Sequence, residues 1–129
     1  MITLSREGKY SLSLRLEKAD IHSLKSAFEA ALRGEAATLE IELAGQVLGR
    51  RWSPPSRKCD LRVVCSESDG IFWDSEGGEL SWMIDPDSLQ MAAERLGAAL
   101  ESGYFYPAEM GDFQVMKRAQ PDSVYVLAV

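Results

Sequence analysis

Gly70-Ile71-Phe72-Trp73-Asp74-Ser75-Glu76-Gly77-Gly78-Glu79-Leu80-Ser81-Trp82-Met83-Ile84-Asp85-Pro86-Asp87-Ser88-Leu89 is the stretch that decides how this chain folds. Residues 70–74 and 80–84 alternate with a period of two, the mark of a strand with two unlike faces. Ile71 and Trp73 fall on one face, Phe72 and Asp74 on the other. Across the hairpin, Leu80, Trp82 and Ile84 share a side, while Ser81 and Met83 take the reverse. Ser75-Glu76-Gly77-Gly78 supplies the turn, because glycine adopts the positive dihedrals that tight hairpins need. The strand then runs into a helix start: Asp85 can cap, Pro86 suits the first helical position and Asp87 complements the positive end of the helix dipole. Leu89, Ala92 or Ala93, Leu96 and Leu100 continue as an apolar stripe, and Gly103 ends it.

The same grammar extends outward. Residues 10–17 alternate with Leu12, Leu14 and Leu16 aligned, and Ile21, Leu24, Phe28, Ala31 and Leu32 follow at helical spacing up to Gly34, with Asp20 as the expected cap. Leu39, Ile41 and Leu43 mark another strand over residues 38–43, and Ala44-Gly45-Gln46 reads as a turn into a short strand over residues 47–51. Residues 52–58 contain Pro54-Pro55 and read as a loop, since proline lacks a ladder donor and restricts its predecessor. Residues 61–66 form a further strand, and residues 113–118 and 123–129 a final pair. The tail after Ser123 reads as a buried strand rather than an anchor. Asp-x-x-Ser-Leu occurs at both Asp20–Leu24 and Asp85–Leu89, an echo that the shared chemistry of helix starts accounts for. The expectation is a single α+β domain over residues 1–129: a largely antiparallel sheet with two amphipathic helices packed on one face.

Charge is distributed unevenly. The net charge is −6 over 129 residues. Residues 1–64 hold eleven bases and eight acids, whereas residues 65–129 hold three bases and twelve acids. Between Glu67 and Asp112, eleven acids face the single base Arg95. Such asymmetry speaks about partners rather than about fold. No apolar run approaches the ~20 residues of a membrane helix, and Met1-Ile2-Thr3-Leu4-Ser5-Arg6-Glu7 lacks a secretory pattern. Cys59 and Cys65 lie six residues apart around an expected strand; with both in it they stand about 20 Å apart, too far to bridge. Free thiols suit a cytoplasmic setting.

Most catalytic chemistries lack their parts. One histidine, His22, and two separated cysteines do not make a zinc site, and no carboxylates follow a calcium-loop pattern. His22 sits in a first helical turn, where capping or exposure explains it better than a Cys65–His22 pair does. There is no nucleophile elbow, and Gly45, Gly49, Gly77 and Gly78 do not form a phosphate cradle. The expectation is therefore a non-enzyme with no cofactor and no metal. Arg50, Arg51, Arg57 and Lys58 flank Trp52 and the proline pair, a mixture able to contact phosphate or a ligand. The acidic balance, with a pI near 4.8, argues against nucleic acid.

What remains is the acidic, aromatic half. Seven of the eleven aromatic residues lie between Phe72 and Phe113. Aromatic anchors among like charges are what a binding face presents to an oppositely charged partner. Asp74, Glu76 and Glu79 are the expected charge contacts, and Trp73, Tyr104 and Tyr106 the anchors. By type, though by no specific motif, the chain looks like a small bacterial inhibitor or immunity protein. Such a protein would occlude a basic partner, for example a nuclease toxin, with the acidic side of the hairpin over residues 69–85, the second helix and the loop over residues 104–112. The alternative is a small-ligand- or nucleotide-binding regulatory domain using the basic segment. Nothing in the sequence fixes the oligomeric state.

Overall fold

A computed structural model of the chain describes residues 1–7, 11–47, 50–74, 78–102 and 123–128. The chain runs β1 (Ile2–Glu7), β2 (Ser11–Leu16), α1 (Lys18–Leu32), β3 (Ala37–Val47), β4 (Arg50–Cys65), β5 (Gly70–Trp73), β6 (Glu79–Ile84), α2 (Pro86–Ser102) and β7 (Ser123–Ala128). The strands form one curled sheet in the order β5-β6-β4-β3-β1-β2-β7. The expected α+β class holds.

The sheet is mixed rather than largely antiparallel. β1–β2, β3–β4 and β5–β6 are antiparallel, but β1–β3, β2–β7 and β4–β6 are parallel. Short connections foretell hairpins, but not which strand a hairpin docks against. The link after β4 steps over one position to β5, so that β6 returns between them and lies parallel to β4. α1 likewise carries the chain across β1, leaving β3 parallel to it.

Alternation places Leu4, Leu14, Ile41, Leu43, Leu61, Val63, Leu80 and Trp82 on the inner face, all essentially without solvent contact. Ile21, Leu24 and Phe28 of α1 and Leu89, Ala92 and Leu96 of α2 join them in one cluster. α1 packs on α2 and on β2, β3 and β4. At the centre, the Phe28 and Trp82 rings meet edge to face, 5.7 Å apart and inclined at 72°, a favoured aromatic geometry.

Three local expectations need correction. The first concerns α1, which begins at Lys18 with Glu17 as its cap; Asp20 is the third helical residue and its Oδ2 accepts the Glu17 amide at 3.0 Å. The acid thus works from inside the first turn, reaching back.

The second concerns the turn expected at Ala44-Gly45-Gln46, where β3 instead runs on to Val47. The third concerns residues 52–58, which belong to the long strand β4 and not to a loop. One irregularity explains both. Ala44 pairs with Ser56 and Gln46 with Arg51, so residues 52–55, prolines included, oppose Gly45 alone. Gly45 has φ +65°, the left-handed conformation glycine takes most readily. Proline is tolerated in a strand at such a bulge, where no ladder donor is required.

A larger repetition underlies the Asp-x-x-Ser-Leu echo, but in another register. β1–β2–α1 and β5–β6–α2 are each a hairpin followed by a helix. The second strand of each hairpin pairs parallel with a further strand. Leu12, Leu14 and Leu16 lie opposite Val124, Val126 and Ala128; Leu80, Trp82 and Ile84 lie opposite Leu61, Val63 and Cys65. The caps Glu17 and Asp85 then correspond, whereas Asp20 and Asp85 do not. The echo itself is helix-start chemistry. Residues 113–118, expected as a strand, lie outside the described residues.

Replacing Trp82 with Ala removes the largest buried side chain at the junction of β6 and α1. Urea denaturation should show a loss of about 3–5 kcal/mol, the range for emptying a large aromatic site.

Candidate functional site

The outer face of the sheet carries what the core does not. Register sets Glu40 of β3 opposite Asp60 of β4, and Asp60 opposite Glu79 of β6. Three carboxylates therefore lie in one row across three strands, at the ~4.8 Å strand spacing. Glu40 and Asp60 are exposed and Glu79 is half-buried. Like charges placed side by side weaken a sheet. The only nearby base among the described ion pairs is Lys58, its Nζ 3.9 Å from Glu40 Oε1. Next along this face come Arg62, Ser81 and Phe72, then Val64 and Met83, with Phe72, Val64 and Met83 half-buried.

The expected site residues are placed unevenly. Asp74 closes the β5–β6 turn: its Oδ1 accepts the Gly78 amide at 3.0 Å and its own amide donates to the Glu79 carbonyl at 2.9 Å. It is thus committed to the hairpin. Glu79 joins the carboxylate row. Trp73 points to the inner side, half-buried against the core cluster, while its neighbour Phe72 takes the outer face. Glu76, Tyr104 and Tyr106 lie outside the described residues. Of the six expected contacts, the structure brings Asp74 and Glu79 together at the start of β6, and turns Trp73 away from them.

The basic segment is strand rather than loop. Arg57 and Lys58 are both exposed, but as consecutive strand residues they project to opposite faces. Arg50 and Arg51 fall in the same strand, and their side chains lie outside what is described.

At the other end of β6, the helix start is built as its residues dictate. Asp85 Oδ1 accepts the Ser88 amide at 2.8 Å and its Oδ2 accepts the Ser88 hydroxyl at 2.7 Å. The Asp85 amide donates to Asp69 Oδ1 at 2.7 Å, tying the β4–β5 link to α2. Burial pushes the Asp69 carboxyl above its ordinary value, and the neighbouring Asp85 charge adds to that. Burial acts on Asp85 in the same sense, but the Ser88 hydroxyl and amide outweigh it and lower this carboxyl.

Cys59 and Cys65 are both free, as their spacing requires. Burial raises the Cys59 thiol, which faces the carbonyls of Asp60 and Gly78 at 3.4 and 3.7 Å. His22 is exposed on α1, and it makes no hydrogen bond to Cys65. Among the described residues, no group of three His, Cys, Asp or Glu side chains is placed to hold a metal ion. None of the described helices is long and apolar enough to cross a membrane.

Sequence reasoning missed Glu40 and Asp60, because only the register makes them neighbours of Glu79. It counted the second helix in the acidic face without singling out Asp87, Glu94 and Glu101, whose seven-residue spacing is visible in the chain. No protein-family model matches this sequence, and no curated protein matches it either.

Asp69→Asn should keep the acceptor for the Asp85 amide while removing a charge that the fold disfavours. A carboxyl raised by folding stabilises the native state in acid and loses that benefit as pH rises through its folded value. The variant should therefore match the parent in mild acid and exceed it at neutral pH, read from urea midpoints at the two pH values. Asp85→Ala should cost about 1 kcal/mol at neutral pH, the usual loss for an N-cap.

Proposed function

We propose that this protein is a non-enzymatic, acidic protein-binding domain of the inhibitor or immunity type, acting in the cytoplasm by covering a basic partner such as a bacterial nuclease toxin. One observation carries the reading. The described residues between Glu67 and Glu101 include eight acids and one base, and none of those acids is ion-paired. The described ion pairs between side chains, Lys25–Glu29, Arg33–Glu35 and Lys58–Glu40, all fall in the first half of the chain. Uncompensated surface charge of one sign raises the encounter rate with an oppositely charged partner.

The carboxylate row supports the same reading, since three adjacent acids cost sheet stability and only Glu40 has an ion-pair partner among the described residues. Occlusion requires only shape and charge: the acids draw the basic surface in, and neighbouring apolar groups slow its release. Phe72, one rung along the outer face, and Met83, one rung further, suit that second role. The ligand-binding alternative draws less support, since the segment expected for it as a loop is a bulged strand with Arg57 and Lys58 on opposite sides.

The test is a pull-down from host lysate at low and high salt, repeated with Asp60→Lys/Glu79→Lys. The expected result is one basic protein, retained at low salt by the parent and depleted in the variant. With that partner purified, the variant should associate about tenfold more slowly at low salt, with the difference shrinking as salt screens the charges. Retention of no basic protein at either salt would sink the reading.

A further inference from the structure

α1 and α2 lie side by side, and between them runs an open groove of about 510 Å³. Its floor is formed by Ala93, Gly97 and Ala98 of α2, Leu32 of α1 borders it, and Glu94 and Glu101 stand on the α2 side. Gly97 is there at a cost, since glycine inside a helix is less favourable than alanine. The stem of Lys25 lies over it, so close that a Cβ would stand 3.1 Å from Lys25 Cε.

The two banks of the groove differ in charge. On α1, Lys25 is held by Glu29 at 2.9 Å and Arg33 by Glu35 at 3.2 Å, so that bank is neutralised. On α2, Asp87, Glu94 and Glu101 recur every seven residues along one exposed face, and none has a cationic partner among the described residues. Seven residues are two turns, about 10.5 Å. Between the acids lie Ala98 and Met91, the latter one of only three exposed large hydrophobic side chains among the described residues.

We infer that this groove and the outer face of α2 dock a cationic amphipathic helix of the partner protein. The assignment rests on the proposed function and deepens it by naming the surface and the secondary structure it fits. A helix laid along α2 with bases every seven residues meets Asp87, Glu94 and Glu101 in register, because the seven-residue repeat drifts only about 20° per two turns on both helices. Ala98, small and exposed, lets the incoming helix lie close beside the Lys25 stem, and an apolar side chain beside each base has Ala98 or Met91 to cover.

The probe is a synthetic helical peptide with lysines at seven-residue spacing and leucines beside them. Its control is a peptide of the same composition, shuffled to break the spacing, with both read by fluorescence anisotropy at low salt. The spaced peptide should bind the parent about tenfold more tightly than the shuffled one. Glu94→Lys/Glu101→Lys should abolish that preference. Ala98→Gln, which fills the groove without changing charge, should weaken the spaced peptide several-fold. Glu42→Lys, on β3 opposite Lys58 and outside the carboxylate row, should leave the preference intact. Equal binding of the two peptides, or an equal effect of Glu42→Lys and the helix reversal, would overturn the helix assignment. If the natural partner is lost with Asp60→Lys/Glu79→Lys but not with Glu94→Lys/Glu101→Lys, the basic-partner reading survives and this surface alone is wrong.

Discussion

The edge-to-face contact of Phe28 and Trp82 joins the two halves of the chain. Phe28 belongs to the helix of the first hairpin–helix unit, Trp82 to the second strand of the other. Neither unit closes a core alone, since each has a single apolar stripe and a two-stranded hairpin is at best marginal by itself. Only when the helices lie together over the sheet do Leu24, Phe28, Leu89 and Leu96 share a solvent-free interior with Leu61 and Val63. Most of the stabilising burial is therefore non-local. The chain must close long loops before hydrophobic burial offsets their entropy, an order of events that slows folding.

How far the sequence foretold this fold depended on the range of the determining interaction. The hairpin at Gly70–Ile84 and the helix start at Asp85 were legible because their causes lie within a few residues: alternation on both strands and a capping acid. The start of α1 was misplaced by one turn because an acid can serve a helix end as the cap or as the third residue reaching back, and Asp20 takes the second role. Pro54-Pro55 misled for a different reason. Proline excludes a regular ladder, yet the partner strand can absorb that exclusion with one left-handed glycine, and nothing near the prolines points to Gly45. The parallel pairings were invisible, since strand order follows from which apolar faces meet.

The candidate site was legible in charge and illegible in position. The excess of acid after Glu67 is a property of the chain and survives folding. Which acids remain available to a partner is not: Asp74 is consumed by its own turn and Asp85 by its helix, while Glu40 and Asp60, from the more basic half, stand beside Glu79 through register alone. Trp73 shows the same limit among aromatics. Alternation paired it correctly with Ile71, but only the position of the core reveals that this side faces inward.

The hairpin–helix unit is used twice with the same apolar positions and different surfaces. Between Ile2 and Leu32 the chain carries five bases and four acids, and between Gly70 and Ser102 one base and seven acids. Packing constrains the inside of each unit, leaving the outside free to take any charge. Since the units stand side by side, their imbalance gives the molecule an electric dipole in addition to its net charge. A net charge only pulls an approaching cation nearer, whereas a dipole also exerts a torque. The protein would turn its acidic unit toward such a partner before the surfaces touch, reducing the rotational search that limits most protein encounters.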